Sequence, residues 1–243
     1  MNRSVDGTND GARARELIDT YPQWYHRIEV APGLVTPGIN DSSRSLEALN
    51  LAEDLRGSTV LDIGTRDGFF AFESERRGAD VLAVDYLPAS ATGFSIAAEL
   101  LGSRVRYLQE NIYNLRSEVI GTFDVVLMLG LLYHLPDLLR AFSTVRTLCR
   151  SELYLETHVC DDDYPELASF PLALFCPGTS LNADPTNYWA PTTACVEAML
   201  VECGFAVESV TRLGSRSIVK ARIASDEHRY YRTIAHGEEL PLR

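Results

Sequence analysis

The stretch that most constrains the fold is VLDIGTRDGFFAFESERRGADVLAVD, which runs from Val60 to Asp85. An apolar run is followed by a glycine-containing turn, a segment with helical spacing and a second apolar run that ends on an acid. This order predicts a strand, a turn, a helix and a second strand parallel to the first. Because the turn follows the carboxyl end of a strand, it lies where open α/β sheets bind their ligands.

The alternation of strands and helices continues along the chain. Most apolar runs are nearly continuous, as expected for parallel strands that are covered on both faces. Two later segments, FAVESVTRLG and SRSIVKARIA, are joined by a short Gly-Ser link and predict an antiparallel hairpin. Strands are predicted at 58–63, 80–85, 104–109, 123–129 and 152–158, and helices at 67–78, 90–101, 137–149 and 191–203. The predicted fold is α/β: a doubly wound, Rossmann-like, mostly parallel seven-stranded sheet with an antiparallel C-terminal edge hairpin.

The pattern also divides the chain into functional regions. Residues 1–50 combine a short helical segment with a loop rich in Pro, Gly and aromatic residues, and we expect them to cap the active site. The core spans 51–224. Within it, 160–190 show little regular pattern, and a connection of that length is typical of a lid or substrate loop. The tail, 225–243, is expected either to close the site or to pack on a second copy in a homodimer.

Charge limits the partners of the chain. It has 34 acidic and 22 basic residues, a formal net charge of -12, and Lys220 is its sole lysine. A field of this sign repels nucleic acids and anionic membranes unless a local basic patch intervenes. We therefore expect a small-molecule partner, with no nucleic acid and no membrane.

Cysteine usage and the N-terminal stretch indicate the compartment. The five cysteines form no CxxC pair and are odd in number, which favours free thiols over a disulfide framework or a zinc site. The stretch MNRSVDGTNDGARARE contains no apolar signal segment, and no apolar run is long enough to span a bilayer. The acidic run from Asp161 to Asp163 is interpreted as a solvated charge run. These features predict a cytoplasmic protein without a metal.

The first turn excludes two phosphate-binding motifs. A dinucleotide fingerprint that begins at Gly64 would need glycines at positions 66 and 69, which hold Arg66 and Phe69. An arginine obstructs the close approach of a pyrophosphate to the backbone. A Walker loop would need a lysine in the turn, and there is none. A phosphate-bearing cofactor is therefore disfavoured, and with it a dehydrogenase.

The remaining pattern is D-x-G-x-x-x-G, from Asp62 to Gly68, with an acid at the end of the next strand. Over about residues 58–160 it resembles class I S-adenosyl-L-methionine (SAM)-dependent methyltransferases, which implies SAM as cofactor. The two glycines leave room for the methionine part, and a carboxylate at position 85 can accept both ribose hydroxyl hydrogens. Most family members have glycine where Arg66 stands. The predicted cofactor residues are Asp62, Gly64, Thr65, Arg66, Gly68, Asp85, Tyr86, Asn111, Ile112, Leu129 and Tyr25.

A narrower resemblance rests on WYHRIEVAPGLVTPGIND, LDIGTRDGFFAFESERRGA and GLLYHLPDLLRAF. These segments are similar to the methyltransferase family that includes the bacterial tRNA wobble-uridine carboxymethyltransferase. That enzyme uses a carboxylated SAM, binds tRNA with a basic surface and holds the extra carboxylate partly with a lysine. This chain is acidic and has no lysine before its first strand. The resemblance therefore implies the fold and site layout, and the chain fits better with small-molecule methyltransferases of specialised metabolism.

Three histidines are candidate general bases, since an acceptor hydroxyl benefits from a base with a pKa near neutral. His134 follows the fourth strand, His158 ends the fifth, and His26 lies in the N-terminal segment. Each also has a structural interpretation, as a pocket-lining, strand-end or loop residue. Alternation places Glu156 on the same face as His158, where it could orient the imidazole. The predicted acceptor-binding residues are Trp24, Glu156, Tyr188 and Trp189.

The sequence thus predicts SAM-dependent methyl transfer to a small-molecule acceptor, with O-methylation favoured because candidate bases abound. One alternative is a tRNA-modifying or RNA-modifying methyltransferase or carboxymethyltransferase of the same fold, which the acidic balance disfavours. Another is a non-catalytic SAM-fold subunit, which the intact Asp62, Gly64, Gly68 and Asp85 disfavour.

Overall fold

The protein, described by a computed structural model over residues 7–224, is built from alternating strands and helices. Residues 1–6 and the predicted tail at 225–243, which includes His228, lie outside the described residues. The helices are α1 (Gly7–Asp19), α2 (Ser43–Leu49), α3 (Phe69–Arg76), α4 (Phe94–Leu101), α5 (Ser117–Ile120), α6 (Leu138–Leu148) and α7 (Thr193–Glu202). The strands are β1 (Glu29–Ala31), β2 (Leu34–Val35), β3 (Thr59–Ile63), β4 (Asp80–Asp85), β5 (Arg106–Gln109), β6 (Phe123–Leu129), β7 (Cys149–His158), β8 (Ala173–Phe175), β9 (Trp189–Pro191), β10 (Phe205–Leu213) and β11 (Arg216–Ile223).

Seven strands form the central sheet, in the order β10-β11-β7-β6-β3-β4-β5. The strands from β3 to β7 pair parallel to one another, whereas β11 pairs antiparallel with both β7 and β10. The predicted doubly wound, mostly parallel sheet with an antiparallel C-terminal hairpin is confirmed. The reversed strand β11 lies one position inside the sheet and β10 forms the edge, an order that strand periodicity alone does not specify.

Two apolar layers cover the two faces of the sheet. Successive strand residues point to opposite faces, so Leu61 joins the layer beneath α6 and α7, while Val60 joins the layer beneath α3 and α4. Val126 and Val125 on β6 divide in the same way. Burial on both faces explains why these strands are continuous apolar runs.

The structure adds elements that the sequence pattern does not predict. Short antiparallel hairpins join β1 to β2 and β8 to β9, and α5 precedes β6. Thr192 accepts a hydrogen bond from the backbone N–H of Cys195 at 3.1 Å and so starts α7. Among the helices of residues 7–224, none has both the length and the apolar character that a membrane span requires.

The carboxyl ends of the parallel strands form one edge of the sheet. The chain moves outward from β3 through β4 to β5, then returns to place β6 on the other side of β3. The order therefore reverses between β3 and β6, which is where doubly wound sheets bind ligands. The turn after β3 and the turn after β6 both begin at this point.

Gly68→Ala should lower the free energy of unfolding more than the replacement of a left-handed glycine that has open space around it. Gly68 has a φ of +94°, and a Cβ there would lie 2.5 Å from the Phe72 ring and 2.7 Å from the Phe94 ring. We expect a loss of about 1–2 kcal/mol from the backbone and about 1–3 kcal/mol from overpacking. Gly57→Ala is the matched control, since Gly57 has a φ of +81° and open space around it. Urea unfolding measures both variants, and equal losses would contradict the packing argument.

Candidate active site

The turn after β3 follows a left-handed path. Gly64, Arg66 and Gly68 have φ values of +79°, +53° and +94°. The backbone N–H groups of Gly64 and Thr65 donate to the carbonyl oxygen of Val84 at 2.8 and 3.1 Å, which fixes the turn against the end of β4. Arg66 occupies a conformation that favours glycine, so the loop keeps its left-handed shape although the family's usual residue is absent.

Asp85, at the end of β4, holds the turn from the other side. Its Oδ2 accepts the backbone N–H of Arg66 at 3.0 Å, and its Oδ1 accepts the backbone N–H of Leu87 at 3.0 Å. The side chain is buried. An ionised carboxylate offers about four acceptor positions, so roughly two remain after these bonds. Asp85 therefore retains the capacity to accept a pair of neighbouring hydroxyl groups.

Asp62 lies beneath the same turn. It is almost fully buried and accepts the hydroxyl hydrogen of Thr65 at 2.7 Å. Burial raises the pKa of Asp62 to about 7; the Thr65 hydrogen bond opposes this rise, and the charge of Asp85 adds to it. At neutral pH the carboxyl group is therefore partly protonated, which limits the negative charge beneath the turn.

The predicted adenine-side residues lie at the ends of β4 and β5, and Leu129, predicted to face the methionine part, lies at the end of β6. Tyr86 is exposed directly after Asp85. Asn111 accepts the backbone N–H of Tyr113 with its side-chain oxygen at 3.0 Å, and Ile112 is buried beside it. Leu129 is buried at the end of β6. Since β4 and β5 are neighbours in the sheet, Tyr86 and Asn111 flank one end of the site.

An ion pair joins the carboxyl end of β7 to the start of β11. Glu156 is buried, which raises its pKa, whereas Arg216 opposes that rise from 3.4 Å between Nε and Oε1. The Arg216 guanidinium also lies 4.8 Å over the ring of Tyr133. The prediction that Glu156 orients His158 is corrected, because β11 places Arg216 directly opposite His158 and the guanidinium takes the carboxylate. Among residues 7–224, Arg216 Nη1 and His158 Nε2 are buried without a hydrogen-bond partner.

His134 is the partly exposed histidine of the three candidates. Its Nδ1 lies 2.9 Å from the hydroxyl of Thr186 and 3.2 Å from the carbonyl oxygen of the same residue. The Thr186 hydroxyl donates to Asp184 at 2.7 Å, so it accepts from a protonated Nδ1 and leaves Nε2 as an acceptor. Burial lowers the pKa of His134, Thr186 and Asp184 oppose this, and the charges of Arg216 and Arg66 lower it further.

The N-terminal segment is tied to the turn by Asp67, a fully buried residue that the sequence analysis missed. Its Oδ2 accepts the backbone N–H groups of Tyr25 and His26 at 2.7 and 2.9 Å, and its Oδ1 accepts that of Gly93 at 2.9 Å. Nothing in the local pattern signals these contacts, since the donors lie far away in sequence.

His26 is enclosed by this segment. Its ring stacks on Phe69 with centroids 5.9 Å apart, and its Nδ1 lies 3.9 Å from Asp67 Oδ2. Burial lowers the pKa of His26 to about 4, against the opposing charge of Asp67. Tyr25 is half-buried beside it; burial raises the pKa of Tyr25, and the charges of Arg216 and Glu156 also act on its hydroxyl.

The three predicted aromatic acceptor residues occupy different surroundings. Trp24 is buried and donates its indole N–H to the carbonyl oxygen of Ile18 at 3.0 Å. These contacts indicate that Trp24 anchors the N-terminal segment to the core and favour this role over contact with the acceptor. Trp189 donates to the carbonyl oxygen of Pro136 at 3.2 Å. Tyr188 is exposed, and its backbone N–H donates to the carbonyl oxygen of Tyr133 at 2.8 Å. The latter two therefore fix the segment after β8 against the turn that bears His134.

The acidic run after β7 pairs with an arginine of β10. Arg212 lies 2.9 Å from Asp161 and 3.1 Å from Asp162. Asp161 also accepts the backbone N–H of Thr193 at 2.9 Å. Within the part of the chain that the structure describes, no three side chains of the ligating types come together in a metal-binding group.

His26→Phe should weaken the loss of stability in acid. A histidine whose folded pKa is lowered binds its proton in the unfolded chain first, so stability is lost as pH falls from about 6.5 toward 4. Between pH 7.5 and 5.0 we expect His26 to account for about 2 kcal/mol of the loss in the native chain. His26→Phe keeps a ring that can stack on Phe69, and its stability should lack the pH-dependent loss that the histidine contributes. Urea unfolding at both pH values tests it, and an unchanged pH dependence would refute the buried neutral imidazole.

Comparison with known proteins agrees with this geometry. Residues 42–208 match the family described as "Methyltransferase domain". A tRNA U34 carboxymethyltransferase of Chromohalobacter salexigens is 30% identical over 158 residues, which is 62% of this chain and 45% of that protein. A ubiquinone biosynthesis O-methyltransferase of Xanthomonas euvesicatoria is 32% identical over 92 residues, or 38% of each chain. The matched segments thus span less than half the length of these relatives.

A solved structure extends the likeness to the fold. The N-terminal domain of EvdMO1, determined in the presence of SAH and D-fucose, aligns with a TM-score of 0.64 over 91% of this chain and 97% of that chain. The sequence identity is 18%, so the likeness concerns the fold alone. The family match covers more than half of the chain and agrees with the resemblance seen in its first turn: the chain belongs to the methyltransferase-domain family.

Proposed function

We propose that the chain transfers a methyl group from SAM to an oxygen atom of a small-molecule acceptor. The observation that carries this proposal is the carboxylate of Asp85. It accepts two backbone N–H groups of the turns that surround it and keeps acceptor positions for two hydroxyls. A ribose presents such a pair, and SAM has a ribose without phosphates.

The other residues of the site fit this cofactor. The methionine part is surrounded by the turn after β3, whose left-handed path Gly64 and Gly68 allow. The residues proposed to contact it are Asp62, Gly64, Thr65, Arg66 and Gly68. Asp85 holds the ribose, Tyr86 and Ile112 flank the adenine, and Asn111 meets its edge. Leu129 and Tyr25 complete the cavity wall. When bound, SAM supplies a methyl group that its sulfonium already activates, so the chain has to position the acceptor and exclude water.

We assign the general base to His134. Catalysis requires contact with the acceptor, and of the three candidate histidines this is the one whose side chain is partly exposed. Thr186 and Asp184 keep the proton on Nδ1, which leaves Nε2 to take the acceptor's proton as the oxygen attacks. His158 then lines the acceptor cavity, and His26 closes the N-terminal segment over the turn.

The acceptor is proposed to be a small molecule of specialised metabolism with an acidic hydroxyl group. The Arg216 guanidinium, which lies over the Tyr133 ring and beside Glu156, would attract an acceptor oxygen with its positive charge. Tyr188 and Trp189 form the outer wall, from the segment proposed as a lid. Ubiquinone biosynthesis O-methyltransferases are among the relatives, and their name supports oxygen as the methylated atom.

The proposed compartment is the cytoplasm. All five cysteines of the chain are free in the structure, and all are buried. Free thiols are the usual state in a reducing compartment. A homodimer and a role for residues 225–243 remain part of the proposal for the whole protein.

Asp85→Asn should lower the affinity for S-adenosylhomocysteine at least tenfold. The amide removes an acceptor position and turns an NH₂ group toward a backbone donor, so the ribose loses a hydrogen bond to a charged group, at about 1.5–3 kcal/mol. Isothermal titration calorimetry measures the change. Asp80→Asn is the matched control, because Asp80 lies at the exposed start of the same strand and pairs with Arg106. Native-like affinity in Asp85→Asn would reject the cofactor assignment.

His134→Gln should reduce the turnover number by about 10²–10⁴ without weakening S-adenosylhomocysteine binding. Tritium transfer from methyl-labelled SAM to a panel of phenols and hydroxy acids identifies an acceptor for this assay. The rate should fall on the acid side below pH 6.5 in the native chain, since the pKa of His134 is lowered, and this limb should vanish in the variant. His158→Gln is the matched variant. A larger loss of turnover number in His158→Gln than in His134→Gln would assign the general base to His158 on β7.

A second candidate is RNA modification, favoured by the carboxymethyltransferase relative. A tRNA-binding surface needs a basic patch, whereas the chain has a net charge of -12. Filter binding with bulk tRNA at low salt separates the two functions: retention of the chain would favour RNA, and its absence the small molecule.

A further inference from the structure

Asp67 is more than a residue of the cofactor turn. It lies between Arg66 and Gly68, is fully buried, and its two oxygens accept three backbone N–H groups from two other segments. Oδ2 takes both donors of the N-terminal segment, and Oδ1 takes the donor of Gly93. One carboxylate therefore joins the turn to both segments.

The two segments meet at Asp67, where the ring of Trp24 also lies against Gly93. Gly93 precedes α4 and ends the stretch that begins with Asp85 and Tyr86, on the ribose and adenine side. Tyr25 lies on the acceptor side, where its hydroxyl is within electrostatic reach of Arg216 and Glu156. A shift of the turn would thus move the adenine side and the acceptor wall together.

We propose that Asp67 is the positioning residue that couples cofactor binding on the turn to closure of the N-terminal segment over the acceptor site. The inference rests on the proposed function, since it requires a ligand on the turn. Asp67 acts through Tyr25 and His26, whose backbone it holds, and contacts neither the cofactor nor the acceptor itself. The N-terminal segment opens only when the turn releases its ligand.

Ligand-dependent protection of two backbone amides tests the coupling. If opening of the segment requires loss of the ligand, S-adenosylhomocysteine at 100 times its dissociation constant slows exchange of the Tyr25 and His26 amides by about 100-fold. A merely structural contact would give no ligand effect if the two amides exchange by local opening. If they exchange no faster than the core amides of β6, they open only by global unfolding, and the coupling is rejected. Hydrogen exchange followed by NMR gives the rates, and calorimetry on the same samples gives the dissociation constant.

Asp67→Asn should break the coupling. The amide that replaces the carboxylate places an NH₂ group against a backbone N–H donor, so a hydrogen bond is lost. The N-terminal segment can then open independently of the turn. We expect S-adenosylhomocysteine affinity within about threefold of the native value, because Asp85 is untouched, and less than a threefold effect of ligand on the exchange of both amides. A ligand effect near 100-fold in this variant would overturn the proposal.

Two controls and the native chain keep the test decisive. Asp124→Asn removes a carboxylate that accepts the Thr59 N–H at 2.9 Å at the opposite edge of the sheet, and it should keep the 100-fold effect. Tyr21→Phe keeps the ring that packs edge-on against Trp24 with centroids 5.6 Å apart, and it should keep the 100-fold effect too. If Asp67→Asn does not fold, the native chain still decides, because bound ligand without added protection rejects the coupling. No binding by the native chain rejects the proposed function instead.

Discussion

Hydrogen bonds from backbone N–H groups to two buried carboxylates hold the turn on which the site depends. Asp85 takes the N–H of Arg66 within the turn, and Asp67, itself in the turn, takes donors from outside it. Hydrogen bonds to a charged acceptor contribute roughly 1.5–3 kcal/mol each, more than neutral ones. The turn after β3, the stretch before α4 and the backbone of Tyr25 and His26 therefore meet at these two side chains.

The same interaction explains how an arginine replaces the family's usual glycine. A left-handed backbone costs a non-glycine residue about 1–2 kcal/mol. The bond from Arg66 N–H to Asp85 is of the charged kind and offsets this cost. What the turn needs is therefore the left-handed path and a free backbone donor, both of which Arg66 supplies. Its side chain adds a positive charge whose effect reaches His26 and His134.

The sequence predicted the fold and the position of the turn after β3 because both depend on local patterns. Continuous apolar runs mark β3, β4 and β6, and the spacing of Asp62, Gly64, Gly68 and Asp85 marks the turn. The sequence pattern could not predict contacts between segments that lie far apart in the chain. Asp67 binds donors about forty residues earlier in the chain, and Arg216 reaches Glu156 only through the register of β11 on β7. Alternation along β7 predicted that Glu156 pairs with His158, because this argument uses one strand only. The antiparallel neighbour β11 contributes Arg216, which is the stronger partner of Glu156.

Electrostatics joins the two halves of the site. The chain as a whole is acidic, yet Arg66 and Arg216 both act on His134, from the turn after β3 and from β11. Together with burial they lower its pKa, so more of the imidazole is neutral at physiological pH and able to accept a proton. In the proposed function, the same two charges would attract an acceptor oxygen that loses its proton during transfer. Glu156 pairs with Arg216, and Asp184 opposes both arginines at His134, so the pKa of this imidazole depends on a balance of charges brought together from four separate segments of the chain.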